Sequence, residues 1–236
     1  MGNARFVLVH GAWHGGWCWR DVQRELQARG YEVDAPTLPG LAERASEMSR
    51  DLTLEALVDD VVSYLADRAL TDVVLVGHSF GGTVITGVAD RARERLRRLV
   101  YLDAVVIESG ERGFDTVPAD AVAARRRSAE AFDGGISMPP PAPEVFGLGP
   151  EHRWASEQLT PHPMASYESP LRLAHPVGNG LPVSYVACTK PWYATSKLWR
   201  DRAVAHGWAI TTLPTAHDAM VLAPEATAAL LDEDVR

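Results

Sequence analysis

One stretch constrains this chain more than any other. The apolar run Val73-Val74-Leu75-Val76 passes directly into Gly77-His78-Ser79-Phe80-Gly81-Gly82, and a helical pattern starts at about Thr83. Four consecutive aliphatic residues suit a strand buried on both faces, the situation of a parallel sheet covered by helices. A strand that turns sharply through glycines into a helix is the junction such a sheet needs. Five further runs repeat the strand signal: Phe6 to Val9, Tyr31 to Ala35, Leu99 to Leu102, Val183 to Ala187 and Ala209 to Leu213. Helical patterns alternate with them. In one, Leu54, Leu57, Val58, Val61, Val62 and Leu65 share a face, Thr53 is placed as the N-cap, and the helix reaches about Ala69. The last helix begins with Pro224 at a tolerated first-turn position. Alternating strands and helices predict an α/β fold, a doubly wound and mostly parallel sheet.

The rhythm breaks between residues 105 and 181, which hold no strand signal and are rich in Pro and Gly, including Pro139-Pro140-Pro141. A structureless loop of that length does not fit a compact domain. The expectation is a core of residues 1–104 and 182–236, with 105–181 inserted as a partly helical cap. Within it Phe114, Phe132, Phe146, Trp154 and Tyr167 suit either a pocket lining or, slightly better, the cap's own small core.

The 236 residues carry a formal net charge of −8. That balance gives no basic footprint for nucleic acid or an anionic membrane surface. No apolar run approaches the roughly 20 residues that span a bilayer. The strand signal at Arg5 to His10 leaves no room for a leader, so a cytoplasmic location is expected. Two cysteines, Cys18 and Cys188, are too few for a disulfide framework. No residue spacing calls for a metal or any other cofactor. Alanine and arginine are abundant and lysine scarce, a bias of GC-rich bacterial genomes. A monomer or homodimer acting on a small molecule is the expectation, with no nucleic acid or membrane partner.

Chemistry concentrates at three places. A serine hydroxyl is a weak nucleophile unless exposed and activated. The Gly-x-Ser-x-Gly turn exposes Ser79, and the following helix points its positive end at the site. Acyl transfer also needs backbone N–H donors for the developing oxyanion. Phe80, next after the serine, is one candidate. Ala12 is the other, in the loop His10-Gly11-Ala12-Trp13-His14-Gly15-Gly16. His10 and His14 are expected to hold that loop by hydrogen bonds. Trp13, and Trp154 in the cap, are candidate substrate contacts.

The base is expected at His217, in the loop after the last strand. The acid is harder to place. The loop after the penultimate strand, Cys188 to Thr195, contains no Asp or Glu. Asp103, ending an apolar strand beside the nucleophile's strand, is the first assignment; Asp201, Glu108 or no acid at all remain alternatives. Asp218, adjacent to His217, is expected to be structural.

The run Phe6 to Trp19 and the Gly77 to Gly82 turn resemble the α/β-hydrolase fold, in particular the plant methylesterases and hydroxynitrile lyases. The resemblance covers about the first 100 residues well and the last strand and helix moderately. It implies a serine esterase with a Ser79, His217 and acid triad. Two departures stand out. The acid loop of that family is empty here, and Tyr101-Leu102-Asp103-Ala104 looks instead like the acid-bearing strand end of some haloalkane dehalogenases. The lyases carry a lysine directly after the catalytic histidine, where this chain has Asp218. Ester hydrolysis is therefore expected, with a non-hydrolytic lyase or isomerase-like enzyme as the alternative.

Overall fold

A computed structural model describes residues 4–235. Eight strands form among these residues: β1 Arg5–Val9, β2 Glu32–Asp34, β3 Val73–His78, β4 Leu96–Leu102, β5 Ser137–Met138, β6 His162–Pro163, β7 Val183–Cys188 and β8 Ala209–Leu213. Six of them make one sheet in the order β2-β1-β3-β4-β7-β8, every pairing parallel. β3 is buried along its whole length and β4 along most of it. The edge strands β2 and β8 are partly exposed. β2 is shorter than its sequence signal, because only Glu32, Val33 and Asp34 find partners on β1.

Nine α-helices lie among the described residues: α1 Arg20–Ala28, α2 Leu54–Asp67, α3 Gly81–Arg91, α4 Ala119–Asp133, α5 Arg153–Ser156, α6 Met164–Glu168, α7 Ser196–Ala205, α8 Ala219–Leu222 and α9 Pro224–Val235. Thr53 caps α2 by accepting the Ala56 N–H at 3.2 Å. α3 is buried from Gly81 to Ala89, as expected for a helix sandwiched against the sheet centre. No helix among the described residues is long and apolar enough to cross a membrane.

Between β4 and β7 the chain leaves the sheet. α4 is the main helix there, and β5 and β6 pair antiparallel. That hairpin has no sequence signal because each strand is only two residues long and one ends in Pro163. The segment packs onto the loops at the carboxyl ends of β1 and β3. Trp13 Nε1–H donates to Met138 O at 3.1 Å, and Thr160 N–H donates to Trp13 O at 2.9 Å. Phe114, Met138, Phe146 and Tyr167 are buried in one continuous apolar cluster with the sheet core, whereas Phe132 is exposed. The aromatic residues thus do not form a separate small core.

Candidate active site

Ser79 sits between β3 and α3 with a left-handed backbone, φ 52°. That conformation costs a non-glycine residue on the order of 1–3 kcal/mol, so its surroundings must enforce it. Ser79 N–H donates to Leu102 O at 3.3 Å, and Ser79 O accepts from Gly82 N at 3.0 Å and Val105 N at 2.9 Å. Gly77 is required: a Cβ there would lie 2.7 Å from Gly81 O across the turn. Ser79 is half-buried, so its hydroxyl stays reachable.

His217 lies in the loop between β8 and α8. Its Nε2 is 2.9 Å from Ser79 Oγ, and its Nδ1 is 2.7 Å from Asp103 Oδ2. A carboxylate only accepts, so Nδ1 carries the proton and Nε2 is left to accept from the serine hydroxyl. The other oxygen of Asp103 accepts Cys188 N–H at 3.3 Å. Asp103 is wholly buried, and it too has a left-handed backbone, φ 43°, just past the end of β4. The alternative acids are engaged elsewhere. Asp201 is exposed on α7 and pairs with Lys197, and Glu108 accepts from His206 Nε2 at 2.7 Å.

The loop after β1 presses on the nucleophile. A Cβ on Gly11 would lie 2.9 Å from the Ser79 Cβ, so only glycine permits this approach. His10 donates from Nδ1 to Gly11 O at 2.8 Å, and its Nε2 accepts Leu38 N–H at 3.0 Å. It must be neutral to do both, and burial pushes its pKa down to about 3. His14 donates from Nδ1 to Ala12 O at 2.8 Å and pairs through Nε2 with Asp218 Oδ2 at 2.9 Å. Burial opposes a charge on His14, but the Asp218 carboxylate outweighs it and raises the pKa. Burial likewise opposes charge on Asp218, and the His14 charge and hydrogen bond override it, lowering that pKa. His78, beneath both, donates from Nε2 to His217 O at 3.0 Å. Burial, then the His217 charge, hold its pKa well below the usual imidazole range.

Aromatic rings wall the site. Tyr193 stacks on His217 at 3.9 Å with an interplanar angle of 10°. Tyr167 stacks on Phe80 at 4.6 Å. Phe146 packs against Trp13 at 5.8 Å. A pocket of about 260 Å³ is bordered by His217, Tyr193, Trp192 and Gly147. A second, of about 220 Å³, is bordered by Trp13, Arg125, Met138 and the three prolines. Larger clefts of about 500 and 600 Å³ lie by Asp115 and include neither Ser79, His217 nor Asp103.

The structure therefore brings Ser79, His217 and Asp103 together, with Ala12, Phe80 and Trp13 beside them. Trp154 sits elsewhere, edge-on to Trp17 at 6.0 Å and under Arg20 at 3.9 Å. Three participants have no sequence signal of their own: Tyr193, in the loop searched for an acid; Asp218, as the partner of His14; and His78, inside the serine motif.

The model of the alpha/beta hydrolase family matches residues 6–230. A carbendazim-hydrolysing esterase of Nocardioides sp. (strain SG-4G) is 38% identical over 94% of this chain and 95% of its own length. A putative chloroplastic methylesterase 14 of Arabidopsis thaliana is 28% identical over 58% of this chain and 40% of its own length. Among solved structures, an extracellular alpha/beta-hydrolase from a Paenibacillus species superposes with a TM-score of 0.86 at 24% identity, covering 98% of both chains. On the strength of the family match and the full-length relative, the chain belongs to the alpha/beta hydrolase family.

Proposed function

We propose that this enzyme hydrolyses a small-molecule carboxylic ester through an acyl-enzyme on Ser79. The observation that carries this reading is the continuous hydrogen-bond chain Asp103–His217–Ser79, at 2.7 and 2.9 Å, beside a backbone loop in contact with the serine. Ser79 Oγ attacks the ester carbonyl while His217 Nε2 takes its proton. The N–H groups of Ala12 and Phe80 hold the oxyanion. As the tetrahedral intermediate collapses, His217 returns the proton to the leaving alcohol. A water molecule, deprotonated by the same nitrogen, then releases the acid and restores Ser79. Asp103 keeps the imidazole in the tautomer this cycle needs.

The Nocardioides relative, named as an esterase, supports the ester class. Residues 105–181 act as the cap; the packing of Met138, Phe146 and Tyr167 over the site loops supports that role. Trp13 contacts substrate, and Trp154 acts one layer out through Trp17, which stacks on His14 at 5.4 Å. All these groups come from one chain, which supports a site that works in a monomer and equally in each half of a homodimer. Two buried free thiols suit a reducing, cytoplasmic compartment. The lyase alternative gains nothing here, because the position after His217 holds a buried carboxylate engaged by His14.

The test is a fluorophosphonate probe followed by mapping of the adduct, with Ser79→Ala in parallel. Labelling of Ser79 and loss of esterase activity in the variant are expected. An adduct at another residue, or an active Ser79→Ala, overturns the reading.

A further inference from the structure

α4 carries three consecutive arginines, Arg125, Arg126 and Arg127. Arg126 pairs with Glu168 at 2.9 Å, and Arg127 is exposed. Arg125 differs from both. It is half-buried and has no carboxylate partner among the described residues; it meets the Tyr167 and Tyr193 hydroxyls, while its buried Nη1 has no hydrogen-bond partner. A buried donor left unpaired is costly, and more so when it belongs to a charged group.

Its position gives that vacancy a meaning. The guanidinium lies 5.4 Å from the Trp13 ring centroid and 5.6 Å from that of Tyr167. Trp13 follows Ala12 in the chain, and Tyr167 stacks on Phe80, so Arg125 lies against a neighbour of each proposed oxyanion donor. Its charge is felt further in. Burial raises the Tyr193 phenol, and Arg125 holds part of that rise back. Burial, and then the Arg125 charge, push His162 down. Arg125 also borders the 220 Å³ pocket, whose other walls are Trp13, Ala124, Ser128, Met138 and the three prolines.

The chemistry assigns the two pockets. The leaving oxygen must face His217 to be protonated, so the pocket bordered by His217 takes the alcohol. The pocket bordered by Trp13 and Arg125 meets the site loop through Trp13 and is the one available to the acyl arm. We propose that Arg125 is a specificity residue: it binds a hydrogen-bond acceptor, best a carboxylate, at the far end of an acyl chain whose apolar body lies against Trp13. This rests on the acyl-enzyme reading of Ser79. A planar fork of N–H donors stacked on aromatic rings is the group suited to a carboxylate in such a setting.

The experiment compares two p-nitrophenyl esters of equal chain length, the glutarate monoester with its free carboxylate and the neutral pentanoate. Each is assayed with wild type, Arg125→Lys, Arg125→Met and Ser79→Ala. The ratio of kcat/KM, anionic over neutral, is expected to fall at least about tenfold in Arg125→Met, carried by KM, and to fall less in Arg125→Lys. An unchanged ratio in Arg125→Met overturns the proposal and leaves Arg125 as a clasp between cap and core. Should Arg125→Met fail to fold, a ratio in Arg125→Lys equal to wild type overturns it instead. If Ser79→Ala still hydrolyses both esters, it is the acyl-enzyme reading that has failed.

Discussion

His217 and Asp218 are neighbours in one loop, yet they serve two different Asp–His pairs. His217 meets Asp103 at 2.7 Å, and Asp218 meets His14 at 2.9 Å. All four side chains are buried. What separates the pairs is the partner of the second ring nitrogen. In His217 it is the Ser79 hydroxyl at 2.9 Å, a group with a proton to give. In His14 it is the Ala12 carbonyl at 2.8 Å, which has none. His217 therefore accepts at one nitrogen and is suited to shuttling a proton. His14 donates at both, which requires the imidazolium beside a carboxylate. The same two side chains move a proton in one place and fix a backbone in the other. The backbone that His14 fixes is that of Ala12, a proposed oxyanion donor.

Amidating each acid breaks this comparison most sharply. Asp103→Asn removes the acceptor that sets the His217 tautomer, and kcat is expected to fall about 10⁴-fold, as when a triad aspartate is amidated. Steady-state kinetics on a p-nitrophenyl ester checks this. Wild-type turnover in Asp103→Asn would return the acid assignment to its alternatives. Asp218→Asn leaves that tautomer alone. Its expected loss of kcat is about 10–100-fold, no more than the removal of one oxyanion donor.

In stability the order reverses for Asp218. With an amide in place of the carboxylate, His14 either stays charged without a counter-ion or gives up its Nε2 proton and accepts an amide N–H there, so the ion pair is lost either way. Breaking such a buried pair costs about 3–5 kcal/mol. For a chain of this size each kcal/mol lowers Tm by about 2–4 °C, so calorimetry should record a drop of roughly 6–20 °C. A Tm within 2 °C or so of wild type would remove the ion pair from the account.

The pH dependence of that gap sharpens it. His14 has its pKa raised from 6.5, so its contribution is complete below about 6.5 and is lost as pH rises through the folded value. Asp218 has its pKa lowered from 3.8, so its contribution is present above about 3.8 and is lost as pH falls through the folded value. The stability difference between wild type and Asp218→Asn is thus expected to be widest between about pH 4 and 6.5 and to narrow towards pH 9. Urea unfolding at pH 5.5 and 9 measures it. His10 and His162, both shifted down, are common to the two proteins and largely cancel.

The contrast also marks what a sequence can carry. β1, β3, β4 and β7 announce themselves as apolar runs, and Ser79 sits in a turn whose glycines have one reading. Asp103 was accessible because a carboxylate ending a buried strand demands a partner. The Asp218–His14 pair was not, because it joins residues 204 positions apart, and neither neighbourhood contains a pattern that needs the other. Tyr193 is illegible for a related reason: its loop holds no carboxylate, and what it contributes is a ring face. The left-handed backbone at Trp13, φ 66°, also carries no signal, since a bulky residue rarely adopts it; at Asp103, φ 43°, the residue type only tolerates it. The hairpin of β5 and β6 is held by the site loops beneath it rather than by its own propensity.

Each imidazole also has a ring laid over it, and this gives the smallest expected effect. Tyr193 covers His217 at 3.9 Å and 10°, and Trp17 covers His14 at 5.4 Å and 28°. Such a stack is worth about 0.5–1.5 kcal/mol beyond the area it buries. In the first pair that energy fixes the plane of a ring whose nitrogen must meet Ser79; in the second it supports a ring already held at both nitrogens. Tyr193→Ala should then lower kcat by about 2–10-fold, whereas Tyr193→Phe, which keeps the ring, should stay within about twofold. Trp17→Phe is expected to leave kcat within the same twofold and to show itself only as a small loss of Tm. If Tyr193→Phe falls as far as Tyr193→Ala, the hydroxyl rather than the ring face acts on His217, and the parallel between the two covered histidines fails.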